Sequence, residues 1–225
     1  VPVSANRENN ERNGFTTPLR PSLKLVWDGA THPRWLIGTA LRTLINHGMP
    51  HFENTDATRG PPILSRDLAR ASGLRDQLGW EHLERIRKRW PGKLLVKGVL
   101  AGEDARMARE KGVDGVIVSN HGGRQLDGTI APLQALPDVV DAAGDMTVML
   151  DGGIRRGSDI LKALALGASF VFVGRPFLFA SVVGGAPAVR HAADLLTKEI
   201  DRDMALLGIR ALDELRPEHV RRING

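Results

Sequence analysis

An α/β fold with a parallel sheet is the architecture this sequence predicts. Three observations predict it. Four short apolar runs, Leu94-Leu95-Val96, Val116-Ile117-Val118, Val148-Met149-Leu150 and Phe170-Val171-Phe172-Val173, lack polar alternation, as strands buried on both faces do. Helical stretches separate them in regular β-α-β order. Each run also ends, at its carboxyl end, in residues suited to binding rather than packing: Lys97-Gly98, then Ser119 to Arg124, then Asp151 to Arg155, then Gly174-Arg175-Pro176. Polar residues gathered at strand C-termini form a site at that face of an α/β fold.

Taken in order, residues 1–91 read as loops and isolated helices, with turn-forming stretches such as Asn13-Gly14 and Arg59-Gly60-Pro61-Pro62 and no alternating strand. Within them Trp35, Leu36, Ile37, Ala40, Leu41, Leu44 and Ile45 make an apolar stripe at helical spacing. Such a stripe packs on its own protein or a partner subunit more often than it lies on a membrane surface, where Arg34 and Arg42 would meet lipid phosphates. From residue 92 the texture changes. After the first strand, Glu103 to Lys111 is helical and closed by Gly112; after the second, Pro132 to Ala143 is closed by Gly144; after the third, Ser158 to Leu166 is closed by Gly167. A long helix is expected from about Pro187 to Leu207. Parallel strands joined this way call for right-handed crossovers. Four strands suffice for a small open sheet and make half of an eight-stranded barrel, so the strand count leaves both open.

Composition narrows the function. With 225 residues, 42% hydrophobic and 25% charged, the chain is globular; disorder and collagen are excluded. It has no cysteine, and hence no disulfide, thiolate nucleophile or iron–sulfur cluster, and its seven histidines show no ligand spacing, so no metal site is expected. No apolar run reaches the ~20 residues that span a bilayer, and no signal peptide opens the sequence, so a cytoplasmic setting is expected. The net charge of +5 is mild and dispersed, which gives little reason to expect a nucleic-acid partner and suits anionic ligands. Tyrosine is absent and the chain starts at Val1, as a piece of something larger would.

The clusters carry specific chemistry. Asp151-Gly152-Gly153-Ile154-Arg155-Arg156-Gly157 leads from a strand into a helix: its glycines let backbone N–H groups approach an anion, the helix N-terminus favours negative charge, and Arg155 adds a guanidinium fork. Gly174-Arg175 repeats the device one strand later. Either turn alone could be a glycine turn with a surface arginine; the pair on adjacent strands favours phosphate. His121 and Arg124 share a loop with two glycines, so both can face one ligand, the histidine as a base near neutral pH and the arginine as a carboxylate grip. Against this stands a surface histidine that merely caps a turn. Lys97 must reach solvent or meet negative charge, and beside the other clusters it fits opposite an anionic cofactor.

Together, Leu95-Val96-Lys97-Gly98, Ser119-Asn120-His121-Gly122-Gly123-Arg124-Gln125-Leu126-Asp127, Asp151 to Gly157 and Gly174-Arg175-Pro176 resemble the FMN-dependent α-hydroxy acid dehydrogenase/oxidase family, which includes L-lactate and (S)-mandelate dehydrogenases and glycolate oxidase. The run around His121 is the most specific, and the order and separation of all four clusters agree. The resemblance implies a (β/α)8 TIM barrel of which residues 92–225 supply strands 5 to 8, with residues 1–91 as the long loop after strand 4. It implies His121 as the active-site base, Arg124 and Arg7 as the arginines that hold the substrate carboxylate, and Lys97 beside the flavin ring. Ser119, Asp151, Gly152, Gly153, Arg155, Gly174 and Arg175 are implied as further contacts to FMN. The implied reaction oxidises a small (S)-2-hydroxy acid to the 2-oxo acid and passes electrons to a quinone or oxygen. Also expected are a complementary N-terminal half, a tetramer-like homo-oligomer, and peripheral contact of residues 27–48 with the inner face of a membrane. Two other readings stand beside it: a different FMN- or phosphate-binding barrel enzyme, such as an isomerase, and a catalytically incomplete FMN-binding fragment.

Overall fold

The structure, a computed structural model, describes residues 8–16, 19–53, 58–65 and 78–223, which divide into two compact units at the gap between 65 and 78. The first unit is helical: α1 (Glu8–Arg12), α2 (Leu23–Thr31) and α3 (Pro33–Trp35), which runs through a π-helical stretch (Leu36–Leu41) into α4 (Arg42–His47). Ser22 caps α2 by accepting the Leu25 N–H, and Pro33 opens α3, where its missing N–H costs nothing. None of the residues of these helices is buried; Leu23 is 90% exposed and Ile45 81%. The stripe foreseen over Trp35 to Ile45 is therefore helical and leaves Trp35, Ile37, Leu41, Leu44 and Ile45 open to solvent. Beyond α4, His51 and Pro62 form an isolated antiparallel bridge, and the His51 ring meets the Gly60 carbonyl at 2.7 Å.

The second unit holds four parallel strands in sequential order: β1 (Leu95–Val99), β2 (Gly115–Val118), β3 (Thr147–Asp151) and β4 (Phe170–Phe172). Helices α6 (Gly102–Glu110), α7 (Pro132–Ala143) and α8 (Gly157–Ala165) connect them. Helix α5 (Trp80–Arg89) precedes β1 and belongs to this unit because Arg87 pairs with Asp114 at 2.9 Å. Lys93 and the Leu94 N–H bind the same carboxylate, and these contacts, the Lys93 hydrogen bond first, hold the Asp114 pKa down at about 2. Lys111 also pairs with Glu84 of α5.

The two sheet faces differ. Val96, Val116, Val118, Val148, Leu150 and Val171 point to the side where Ala105, Ala108, Leu136, Val139 and Ala163 of the connecting helices complete the core. Alternate residues, Ile117, Met149 and Phe170, are register partners across three strands and belong to the opposite face. The expectation that all four strands are buried on both faces holds for β2 and β3 and fails for β1 and β4. Phe170 is 55% exposed and Phe172 40%, because no described strand pairs with the outer side of β4.

The last helix, α9 (Arg175–Leu207), starts twelve residues before the expected Pro187. Gly184 and Gly185 leave helical geometry and break it, Gly185 at φ 60°, so that Pro187 opens its second limb. That limb packs against α8, where Leu161, Ala165, Ile209 and Leu215 form a second small core with Ile200 and Met204.

Candidate functional site

The C-terminal ends of all four strands open into one cavity of about 580 Å³, within the range that takes a cofactor or drug-sized ligand. Lys97, His121, Arg124, Asp151, Gly152, Gly153, Arg155, Gly174 and Arg175, each singled out in the sequence, all line it. Ser119 lies under its floor at 2% exposure, and Arg7 lies outside the described residues. Four cationic side chains thus share the cavity with the single carboxylate of Asp151.

Local structure aims each group. The register between β1 and β2 slips at Gly98, a bulge just past Lys97, before the ladder resumes at Val99 and Val118. The Lys97 ammonium reaches Asp151 Oδ2 at 2.6 Å and donates to Ser119 Oγ at 2.7 Å. Ser119 Oγ donates to Asp151 Oδ1 and accepts the His121 N–H at 3.1 Å. One hydroxyl has one donor and two acceptor positions, so this buried serine is fully used and ties β1, β2 and β3 together beneath the cavity.

His121 to Gly123 form a 3-10 turn in which all three residues have positive φ, 57°, 66° and 69°. Asn120 Oδ1 accepts the Gly123 N–H at 3.2 Å, and Arg175 Nη2 donates to the Gly122 carbonyl at 2.9 Å. Burial, with the charges of Lys97 and Arg124 added, lowers the His121 pKa below its ordinary value, against a smaller opposing effect of Asp151. The shift favours the neutral imidazole, the form able to accept a proton. The guanidinium groups of Arg124 and Arg155 carry no ion pair among the described residues, which leaves both free for an anion.

The two glycine turns differ from one another. At the start of α8 the anion position foreseen from sequence is taken by the protein itself: Asp159 accepts the N–H groups of Arg155 and Arg156, both at 3.0 Å, and Glu199 accepts that of Gly157 at 2.7 Å. The Gly157 N–H first, and then the Arg156 guanidinium, which donates to Glu199 at 2.9 Å, hold the Glu199 pKa below the usual carboxylate range. The N-terminus of α9 has no side-chain cap, so its positive end remains available at Gly174 and Arg175. A Cβ built on Gly153 or on Gly174 would meet nothing within 4 Å, so both turns open onto free cavity space.

Phe172, Leu178 and Phe179 also line the cavity and were not marked by the sequence reading. The signal was present in the β-strand period, which puts Phe172 on the same face as Phe170, the two rings 5.0 Å apart edge to face.

The profile of the FMN-dependent dehydrogenases matches residues 1–222. An (S)-mandelate dehydrogenase from Pseudomonas putida is 40% identical over 220 residues, 98% of this chain and 54% of that protein. An L-lactate dehydrogenase from Pseudomonas entomophila (strain L48) is 38% identical over 219 residues, 96% of this chain and 56% of that protein. Among solved structures, that of the monotopic membrane protein (S)-mandelate dehydrogenase superposes with a TM-score of 0.81 at 37% identity, covering 98% of this chain and 58% of that one. The chain spans little more than half the length of the relatives it matches, and its sheet is an arc of the (β/α)8 barrel they share. With a match that runs nearly end to end, the chain belongs to the family of FMN-dependent dehydrogenases.

Proposed function

We propose that this protein takes part in the FMN-dependent oxidation of a small (S)-2-hydroxy acid of the mandelate or lactate class to the 2-oxo acid. Electrons then pass on to a quinone or oxygen. The observation that carries the reading is the single cavity that joins His121 to four cationic side chains at the ends of four parallel strands.

The residues fit FMN. Gly152, Gly153, Arg155, Gly174 and Arg175 would hold its ribityl and phosphate groups where open glycine turns and the uncapped α9 N-terminus meet. Lys97, kept in place by Asp151 and Ser119, would set a positive charge beside the ring. FMN supplies the two-electron acceptor. Arg124 would grip the substrate carboxylate, and Arg7 is proposed as its second clamp. Oxidation of the alcohol releases two protons and two electrons; His121 accepts one proton, from the α-carbon or from the hydroxyl, and the other proton with both electrons would be taken up by bound FMN.

The chain is read as strands 5 to 8 of the barrel, with residues 1–91 as the long loop after strand 4. Its exposed β4 face and half-length match support a complementary N-terminal half, without which it would be an incomplete FMN-binding fragment. The assembled enzyme is proposed to be a homo-oligomer. The exposed apolar residues between 27 and 48 support peripheral contact with the cytoplasmic face of a membrane, as the monotopic neighbour suggests. No helix among the described residues is long and apolar enough to cross one.

Anaerobic flavin reduction by (S)-mandelate and L-lactate tests the proposal. The full protein should be reduced, and His121→Gln should keep its FMN while reduction slows by about 10²-fold or more. FMN binding without reduction by any 2-hydroxy acid would favour the incomplete fragment, and unchanged reduction in the variant would remove His121 from the role of base.

A further inference from the structure

The Arg175 side chain sits between two parts of the cavity. It is the first residue of α9 and follows the open Gly174 turn, yet its Nη2 donates to the carbonyl of Gly122, 53 residues away in the chain. Gly122 is the middle residue of the left-handed run His121 to Gly123. A Cβ on Gly122 would stand 3.0 Å from that same nitrogen, so the absence of a side chain at 122 is what lets the guanidinium come this close. The other residues of the turn are tied from within β2 and its own loop, His121 N–H to Ser119 and Gly123 N–H to Asn120. Among the described residues, the Gly122 carbonyl is the one group of this turn that accepts a hydrogen bond from another strand–helix unit. A guanidinium has five N–H donors in a rigid fork, and this one uses a single donor on Gly122, with no ion pair among the described residues.

We propose that Arg175 is a positioning residue that couples phosphate occupancy of the Gly153 and Gly174 turns to the conformation of the His121 loop. This rests on the FMN reading above. A phosphate held by the free edge of the fork restricts the guanidinium, and the restricted guanidinium pins the Gly122 carbonyl and with it the left-handed backbone of His121. Filling the phosphate site thus prepares the base before substrate arrives, and a flavin lacking phosphate leaves the loop looser.

Hydrogen exchange of the backbone over residues 119–126, with the ring signals of His121 followed by NMR, reads this directly. The full protein is compared without ligand, with inorganic phosphate, with riboflavin and with FMN. Phosphate and FMN should slow exchange of the loop by about five-fold or more, the lower end of coupling between two sites, and shift the His121 signals, whereas riboflavin should do neither. In Arg175→Met the loop should exchange faster without ligand and lose its response to phosphate. Arg155→Met, which also weakens the phosphate site but has no contact with the loop, should keep the response once phosphate is saturating. Exchange of β2 reports whether each variant is folded; if Arg175→Met is not, Arg175→Lys takes its place and should bind phosphate with a weakened loop response. A phosphate response of undiminished size in an Arg175 variant overturns the coupling, as does FMN binding with no change in the loop. Ordering of the loop by phosphate in a protein that fails to bind FMN would uphold the coupling and overturn the flavin reading.

Discussion

His121 is the one described non-glycine residue with positive φ, a backbone state that costs roughly 1–3 kcal/mol and persists only where the surroundings impose it. Ser119 and Arg175 hold the turn from two sides, which keeps the imidazole within the electrostatic reach of Lys97 and Arg124. The lowered pKa has a definite sign. Protonation is less favourable in the folded chain than in the unfolded one, so stability associated with this group falls as pH drops through the ordinary histidine range. An NMR titration of His121 in the ligand-free protein should give a midpoint below about 6.5, and Arg124→Met should move it upward by removing one repelling charge. A midpoint unmoved by the substitution would detach Arg124 from the imidazole. The candidate base and the cations were legible in the sequence because each follows an apolar strand run directly. The junction at Ser119 and the reach of Arg175 to Gly122 were not, since these bonds join residues 22 to 53 positions apart and depend on how strands lie side by side.

At the scale of elements, strand and helix positions were readable wherever periodicity and closing glycines agreed, as in α7, which spans Pro132–Ala143 as foreseen. The first limb of α9 was hidden, because Gly184, Gly185 and Pro187 read as the start of a helix although they interrupt one. The π-helical stretch Leu36–Leu41 leaves no mark in an apolar stripe, whose spacing fits either helix type. Packing between α8 and α9 turns on a residue whose closeness to its neighbour the sequence also conceals. Gly157 is buried, and a Cβ there would lie 2.6 Å from Glu199 Cβ and 2.7 Å from the Ile200 nitrogen. Backbone atoms of α9 cannot step aside as the end of a flexible side chain can. Gly157→Ala should therefore destabilise the protein by about 1–3 kcal/mol, the ordinary range for overpacking, seen as a lower urea midpoint. An unchanged midpoint would mean that α9 shifts freely against α8.

For the whole molecule, the decisive feature is the sheet face turned away from the connecting helices, buried at Ile117 and Met149 and open at Phe170. Ile117, Met149 and Phe170 form an apolar row across it that Lys97 continues on β1, and the Lys97 ammonium reaches up to Ser119 and Asp151 at the carboxyl end. That order, apolar below and polar at the mouth, is the interior of a barrel seen from one side. Closing the barrel would bury Phe170, which is now 55% exposed, against strands that are not among the described residues. The two possibilities separate on one substitution. If Phe170 faces water in the working protein, Phe170→Asp changes stability by no more than about 0.5 kcal/mol, as surface replacements do. If a complementary half covers it, the same change buries an unpaired carboxylate and should cost several kcal/mol, of the order of 3 or more. Thermal unfolding of the full protein with bound FMN measures the difference, and the covered interior predicts a large fall in Tm together with loss of flavin.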